Sequence, residues 1–184
     1  MLDAHAAGGL STDELLATYG FLFFAGYETT TTLISNGVLA LLRHPDQMRC
    51  LPDDPALITT AVEEFLRYDS PTQILWRTVL ADVDMLGCAF RKNQRVELLT
   101  GAANRDPERF AEPDQLKVDR KPNPHLGFGQ GIHYCLGAYL ARLEVEVAVS
   151  TLINRLPRLA LLESLPEWEA TLRLRRLKTL WVSF

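Results

Sequence analysis

The fold is decided by ten residues, Phe-Gly-Gln-Gly-Ile-His-Tyr-Cys-Leu-Gly, at positions 128–137. Within them Cys135 follows Gly129 and Gly131, two residues that can adopt positive φ angles and let the backbone pass close to a large flat object. A sulfur just ahead of a helix lies at the positive end of the helix dipole, which suits a metal-binding thiolate. The stretch therefore predicts a loop-held cysteine for a metal or a haem iron, with nucleophilic catalysis as the alternative. The helix is predicted over 136–156 from apolar residues that share one helical face, namely Leu136, Leu140, Leu143 and Val147.

Length and composition favour one soluble domain and exclude several functions. The chain has 184 residues, of which 47% are apolar, so it can form a single domain with a real core. The formal net charge is −4 with both signs interspersed, which leaves no basic stripe for nucleic acid. The longest apolar stretch, at 15–26, is too short to span a bilayer. Asp3 and His5 interrupt the apolar core that a signal peptide needs, so we expect a cytoplasmic protein without membrane partners.

The three cysteines do not form a recognisable set. Cys50, Cys88 and Cys135 lie far apart and include no Cys-x-x-Cys pair, which argues against a disulfide framework and against an iron–sulfur site. A zinc ion held by His125, His133 and Cys135 is a weaker alternative, because the pattern offers no fourth ligand. Cys50 and Cys88 are interpreted as small apolar residues, so Cys135 is the candidate for chemistry.

A long helix is predicted near the start of the chain. Ser11 and Glu14 form a capping box, and the helix runs to Arg43 because the following His44-Pro45 ends it. Its apolar residues surround much of the axis, which predicts burial at the centre of the domain. Gly20, Gly26, Gly37 and the threonines at 29–32 are poor helix formers, and their position in mid-helix indicates function or close packing. Residues 1–10 are predicted to be a loose lead-in.

The remaining pattern predicts a mainly α class with small antiparallel β-sheets. Apolar periodicity and proline positions indicate further short helices, and β-branched runs bounded by turn residues indicate strands. A turn-rich stretch at 104–121 reads as a long ordered loop that leads to the cysteine. The predicted helices lie at 45–50 and 55–68, and the predicted strands at 74–80, 83–86, 95–100, 158–162 and 171–182.

The cysteine loop resembles the haem-binding loop of the cytochrome P-450 family, the haem-thiolate monooxygenases. Every fixed position of the Phe-Gly-x-Gly-x-His-x-Cys-x-Gly pattern is present. The upstream matches are Ala-Gly-Tyr-Glu-Thr-Thr at 25–30, Glu-Phe-Leu-Arg at 64–67 and Ala-Asn-Arg-Asp-Pro at 103–107. The resemblance runs from about Leu10 to the C-terminus and is closest to the soluble bacterial branch. It implies that 11–184 is the C-terminal part of the P-450 fold, starting at the long central helix, with the N-terminal half absent.

The resemblance assigns a role to each candidate haem residue. It implies that Cys135 is the thiolate ligand of haem iron, within a cofactor-binding loop that includes Phe128, Gly129 and Gly137. Arg77 and His133 match the residues that bind the haem propionates. Solvated surface roles are the alternative for both of these cations.

Two further motifs gain a meaning from the resemblance. Glu28 and Thr29 match the pair that relays protons during oxygen activation, whereas a threonine-rich packing surface is the alternative. Glu64 and Arg67 match a structural ion pair that ties its helix to the loop before the cysteine. Arg120 is the candidate third member of that cluster, with Arg109 as its rival.

The implied function is monooxygenation of a hydrophobic small molecule with O2 and two electrons from a ferredoxin or flavodoxin-type donor. A separate N-terminal half is an expected partner, because the chain covers less than half of a complete family member. The alternative is a truncated, non-catalytic remnant with weak or no haem binding, and Met1 is either a true start or an internal methionine. The C-terminal turn at 177–179 is expected to reach the substrate pocket. Two interpretations stay open for Arg43, Arg49, Arg105, Arg109 and Arg142: a basic face that binds an acidic electron donor, or scattered charge that keeps the surface soluble.

Overall fold

The computed structural model describes residues 1–162 and 165–184. Within these ranges the chain is mainly helical, with three two-stranded antiparallel sheets, as the sequence predicts. The helices are α1 (Leu2–Ala6), α2 (Thr12–Arg43), α3 (Pro45–Asp53), α4 (Leu57–Tyr68), α5 (Thr100–Ala103) and α6 (Ala138–Arg155). The strands are β1 (Leu75–Thr78), β2 (Val83–Met85), β3 (Cys88–Phe90), β4 (Arg95–Leu98), β5 (Ala160–Leu161) and β6 (Val182–Ser183).

The long helix α2 begins and ends where the sequence predicts. Its capping box is complete: the Glu14 amide donates to Ser11 Oγ at 3.2 Å, and the Ser11 amide donates to Glu14 Oε2 at 2.9 Å. The helix spans 32 residues to Arg43, and Pro45 then starts α3. At 1.5 Å per residue it is roughly 48 Å long, so it crosses the whole domain.

The prediction that α2 is buried at the centre is wrong for its first half. Of this half only Leu15 is buried, and nearly continuous burial begins at Thr30. The described segments leave most of the first half uncovered, so its large apolar side chains remain in contact with solvent. The exposed residues are Leu16, Tyr19, Phe21, Leu22, Phe23, Phe24 and Tyr27.

The core lies where the second half of α2 packs against α4 and α6. Gly37 lets α2 and α4 approach each other closely, because a Cβ at this position would lie 2.7 Å from the ring of Phe65 on α4. This contact accounts for one of the unfavourable residues in mid-helix. The most buried apolar residues of this cluster are Leu33, Leu41, Ala61, Val62, Phe65, Leu66, Val118, Val145 and Val149.

Helix α6 confirms the predicted helix but turns a different face to the core. It buries Ala138, Val145, Val149 and Ile153. The four residues whose spacing indicates the helix are exposed, with Leu136 at 91% relative exposure. Their face, like the first half of α2, is apolar and uncovered by the described residues.

The small sheets lie beside the helical core. In the sheet next to the cysteine loop, β1 pairs with β4 in antiparallel register, so that Arg77 faces Val96. Strands β2 and β3 form a hairpin, and β5 pairs with β6. The sequence reading missed β3, and Thr100 begins α5 where the sequence predicts the end of a strand. The stretch at 104–121 is a long loop, as predicted.

Residues 1–10 are more regular than the predicted loose lead-in, because Leu2–Ala6 form α1. The segment is folded back on itself: the Gly9 amide donates to the Ala4 carbonyl at 2.8 Å, and His5 Nδ1 lies 2.8 Å from the Leu10 carbonyl oxygen. In the described part of the chain, no helix combines the length and the apolarity that crossing a bilayer requires.

Candidate functional site

Cys135 lies in a tight loop just ahead of α6. Gly129 and Gly131 both have φ of 71°, the left-handed conformation that favours glycine. The loop is closed across its base, because the Cys135 amide donates to the Phe128 carbonyl at 3.0 Å. The Tyr134 amide closes a 3-10 turn onto Gly131 at 3.0 Å. The loop therefore presents the cysteine on an ordered frame, and the residue is exposed.

A buried ionic cluster anchors the chain that leads to this loop. Glu64 and Arg67 on α4 form a two-pronged ion pair, with 2.8 Å between each bonded nitrogen and oxygen, and both side chains are fully buried. Arg120 Nε donates to both Glu64 oxygens at 3.0 and 3.1 Å. Arg120 is thus the third member, as predicted, while Arg109 lies exposed on the loop.

The cluster fixes the 104–123 segment through its backbone. Arg67 donates to the carbonyls of Asn104 and Pro113, at 3.0 and 2.8 Å. The Lys117 amide donates to Glu64 Oε1 at 2.9 Å. Buried charges with this many partners hold both their own geometry and that of the loop around them.

Asn104 and Asn123 belong to the same anchor, although sequence reasoning gave neither a role. Buried Asn104 donates to the Leu66 carbonyl at 3.2 Å and accepts from the Leu126 amide at 2.7 Å. Asn123 Nδ2 donates to Glu64 Oε2 at 3.2 Å. The family-like run at 103–107 was a signal for Asn104, whereas a lone asparagine at 123 carries none.

Glu28 and Thr29 lie in the middle of α2, at the start of its buried half. The Thr29 hydroxyl donates to the Ala25 carbonyl at 2.7 Å. The hydroxyls of Thr31 and Thr32 likewise donate to backbone carbonyls one turn earlier, so these polar groups are satisfied within the helix. Glu28 Oε1 accepts from Arg176 Nη1 at 2.8 Å. Glu28 Oε2 is buried and finds no hydrogen-bond partner among the described residues. Sequence reasoning missed Arg176, which comes from the distant C-terminal segment.

Arg77 lies on the face of β1 that is directed to the cysteine loop. It shares this face with Leu75, whose Cδ1 lies 3.7 Å from the Cβ position of Gly129. Its guanidinium donates to the Trp76 carbonyl at 2.8 Å. His133 is exposed in the 3-10 turn. The structure thus places His133 within the loop and Arg77 on the strand face whose Leu75 meets it.

Two other sequence predictions have a clear local outcome. In place of the predicted turn at 177–179, Leu177 forms an isolated antiparallel bridge with Trp168 and the chain bends at Lys178, whose amide donates to the Glu167 carbonyl at 2.9 Å. Of the arginines expected on a donor-binding face, Arg105 and Arg142 make internal contacts. Access of this segment to a substrate stays a prediction.

Comparison with known proteins decides the family. A family model described as cytochrome P450 matches residues 1–54 and 55–159. The chain belongs to the cytochrome P450 family. The biotin biosynthesis cytochrome P450 of Bacillus subtilis (strain 168) is 48% identical over 175 residues, 95% of this chain and 44% of that protein. The vitamin D(3) 25-hydroxylase of Pseudonocardia autotrophica is 50% identical over 159 residues, 86% of this chain and 40% of that protein.

The structural comparison confirms the predicted P450 fold. The crystal structure of CalO2 matches with a TM-score of 0.94 at 41% identity, covering 100% of this chain and 47% of that one. The chain spans less than half the length of these P450 relatives.

The residues around the loop fit the haem that the P450 family uses. A Cβ at Gly131 or Gly137 would meet no heavy atom within 4 Å, so that side of the loop has room for a large flat group. One exposed sulfur, the Arg77 guanidinium and the His133 imidazole, which can donate a hydrogen bond, suit a ligand with a metal centre and two carboxylates. A zinc site gains no support: in 1–162 and 165–184, no group of three or more His, Cys, Asp or Glu residues is placed to hold a metal ion.

Proposed function

We propose that this chain is the haem-binding part of a haem-thiolate oxidoreductase. It would catalyse insertion of one oxygen atom from O2 into a hydrophobic small molecule, with two electrons from a ferredoxin or flavodoxin-type donor. The observation that carries the proposal is the exposed Cys135 on a glycine-shaped loop ahead of α6, in a chain of the P450 family. The names of the relatives point to different products, so the substrate is proposed only as a hydrophobic small molecule. A cytoplasmic location belongs to the same proposal.

The proposed roles follow from the position and chemistry of each side chain. The Cys135 sulfur binds the iron, within a loop framed by Phe128, Gly129 and Gly137. The Arg77 guanidinium and an N–H of His133 would donate hydrogen bonds to the propionates. When bound, haem supplies the activation of O2, and the thiolate donates electron density that favours O–O cleavage.

Glu28 and Thr29 are proposed to move protons towards the site. The Thr29 hydroxyl hydrogen is committed to the Ala25 carbonyl, so its oxygen is left to accept a hydrogen bond. The unsatisfied Glu28 Oε2 is an acceptor position in a partly buried environment. A carboxylate and a hydroxyl at adjacent positions in the chain are the kinds of group that proton delivery to a site uses.

A second polypeptide segment is part of the proposal. The first half of α2 exposes a row of aromatic and leucine side chains, among them Phe23 at 78% relative exposure. Exposed apolar patches of this kind mark interaction surfaces. Because the relatives are more than twice as long, we propose that a segment equivalent to their remaining length covers this face.

The second candidate is a non-catalytic family member that binds haem weakly or not at all. The observation in its favour is the exposure of the first half of α2, because the described residues leave this large apolar face open to water. Catalysis on haem requires a site from which water is largely excluded.

Turnover under labelled oxygen separates the two candidates. The chain, loaded with haem and supplied with a ferredoxin, its reductase and NADPH, would be incubated under 18O2 with a panel of fatty acids and steroids. Incorporation of one 18O atom into a product supports monooxygenation. Absence of product from a preparation that holds thiolate-ligated haem supports the non-catalytic alternative.

Arg77→Ala is expected to weaken haem binding by about tenfold. A charge-assisted hydrogen bond contributes about 1.5–3 kcal/mol, and a tenfold change in affinity corresponds to about 1.4 kcal/mol. Haem titration followed by absorption measures the change. Arg91→Ala is the matched control, because Arg91 is exposed in the neighbouring hairpin and pairs there with Asp82 and Asp84. Equal haem affinity in the Arg77 variant and wild type would remove Arg77 from the site.

Thr29→Ala is expected to divert electrons from product to hydrogen peroxide. Loss of the hydroxyl interrupts proton delivery, so product formation falls by at least about tenfold while electron consumption continues. The ratio of product to NADPH consumed measures this coupling. The control is Thr31→Ala, since Thr31 makes a similar bond to its own helix but is exposed. Unchanged coupling in Thr29→Ala would contradict the relay.

A further inference from the structure

A second charged cluster lies on α4 next to the first. Glu63, one residue before Glu64, accepts two bonds from Arg142 on α6: Nε to Oε1 at 2.5 Å and Nη2 to Oε2 at 3.0 Å. His125 Nε2 lies 2.8 Å from Glu63 Oε2. His125 Nδ1 accepts from the Gly127 amide at 3.1 Å, so Nε2 carries the hydrogen that is donated to Glu63. This cluster joins α4, α6 and the chain that enters the cysteine loop.

Arg142 also contacts two aromatic residues of the cysteine loop, Phe128 and Tyr134, which both precede Cys135. Its guanidinium carbon lies 4.5 Å from the centre of the Phe128 ring, a cation–π contact. Arg142 Nη1 lies 3.3 Å from the Tyr134 hydroxyl oxygen. The rings of Phe128 and Tyr134 meet edge to face with centroids 6.2 Å apart. The Phe128 carbonyl accepts a hydrogen bond from the Cys135 amide. Phe128 therefore links Arg142, which contacts its ring, to the backbone of the cysteine.

The cluster is charged and partly shielded from water. Side-chain exposure is 25% for Glu63, 28% for Arg142 and 4% for His125. Partial burial alone would raise the pKa of Glu63, but hydrogen bonds from His125 and Arg142 lower it to about 2. The hydrogen bond to Glu63 in turn raises the pKa of Arg142. A guanidinium held by both oxygens of one carboxylate has a fixed plane, which a lysine cannot reproduce.

We propose that Arg142 is a positioning residue for the Cys135 loop. Glu63 fixes the plane of its guanidinium, and the guanidinium fixes the rings of Phe128 and Tyr134, two residues of the loop that leads into Cys135. This role deepens the proposed haem function and rests on it for its catalytic meaning. This role replaces the sequence-based expectation that Arg142 contacts an electron-transfer partner. The N–H groups of its guanidinium already bond to Glu63 and Tyr134 within the chain.

Hydrogen exchange on the purified chain without haem tests the positioning role directly. In Arg142→Ala and in Glu63→Gln, two loop amides are expected to exchange at least about tenfold faster than in wild type: that of Gly129, which donates to the Leu126 carbonyl, and that of Cys135, which donates to the Phe128 carbonyl. Amides in the buried part of α4 keep their wild-type rates. Arg155→Ala is the matched control, since Arg155 is an exposed arginine on the same helix.

A spectroscopic readout after haem addition separates positioning from a general loss of stability. At equal haem occupancy, the thiolate-type share of the reduced carbon-monoxide spectrum falls in Arg142→Ala and stays at the wild-type value in Arg155→Ala. Arg142→Lys is expected to behave like Arg142→Ala, because a lysine keeps the positive charge but cannot form the paired hydrogen bonds that the planar guanidinium makes to both oxygens of Glu63. If Arg142→Ala does not fold, Arg142→Lys and Glu63→Gln carry the same comparison.

The outcomes are distinct from those that test haem binding. Wild-type exchange of the loop amides in Arg142→Ala and Glu63→Gln, or equal acceleration in Arg155→Ala, overturns the positioning role. Full recovery of exchange and spectrum by Arg142→Lys also overturns it. If wild type itself forms no thiolate-type complex, the proposed function fails, and the exchange comparison still decides whether Arg142 orders the loop.

Discussion

Glu64→Gln is expected to lower the free energy of unfolding by about 3–5 kcal/mol, because it leaves two buried guanidinium groups without a counter-charge. Arg67 is fully buried beside Glu64, and the Arg120 side chain is only 8% exposed. Small domains are stable by about 5–15 kcal/mol, so the change removes a large part of the total. Urea denaturation followed by far-UV circular dichroism measures it. The glutamine has nearly the same shape, so the loss reports on charge.

The matched control for this prediction is Glu144→Gln. Glu144 is exposed on α6, and the same loss of one negative charge there is expected to change stability by less than about 0.5 kcal/mol. A Glu64→Gln variant as stable as wild type would show that the ionic cluster does not hold the 104–123 loop. Equal losses in both variants would point to net charge as the cause.

Cys135→Ala is expected to abolish the thiolate-type haem spectrum completely. Alanine keeps the small size of the residue and the backbone bond to Phe128, so the loop frame persists while the only proposed iron ligand disappears. Haem that still binds would take another ligand and give a spectrum of the histidine or free-haem type. Absorption spectra of wild type and variant, recorded after the same haem addition, make the comparison.

Cys88→Ala provides the control for this change. Cys88 is also exposed, but it lies in β3, outside the cysteine loop. Wild-type spectra are expected from this variant, which excludes a general effect of removing a thiol. A thiolate-type spectrum that survives Cys135→Ala would show that another sulfur ligates the iron.

The sequence was sufficient where the determinants of structure are local. The capping box at Ser11 and the proline at 45 define both ends of α2 within short windows, and the structure confirms them. The Glu64–Arg67 pair is separated by one helical turn, so its spacing predicts the contact. Arg120 was found because the resemblance demanded a third basic residue in the loop before the cysteine.

The sequence was insufficient where contacts join distant segments or where burial depends on a neighbour. Arg176 meets Glu28 across 148 positions, and no local pattern links them. Glu63 and Arg142 are separated by 79 positions, so the cluster behind the loop was also invisible. The apolar side chains on all sides of α2 indicated that the helix is buried. The pattern does not show whether the residues that would cover it belong to this chain. Strands of three residues such as β3 are too short for a periodic signal.

The reduced, carbon-monoxide-bound absorption difference spectrum of the purified chain after haem addition tests the central claim most directly. The account predicts a strongly red-shifted Soret band of the thiolate type, which shows that Cys135 ligates the iron in a loop ordered by this chain. A band of the histidine or free-haem type would contradict the claim that these residues form a haem-thiolate site.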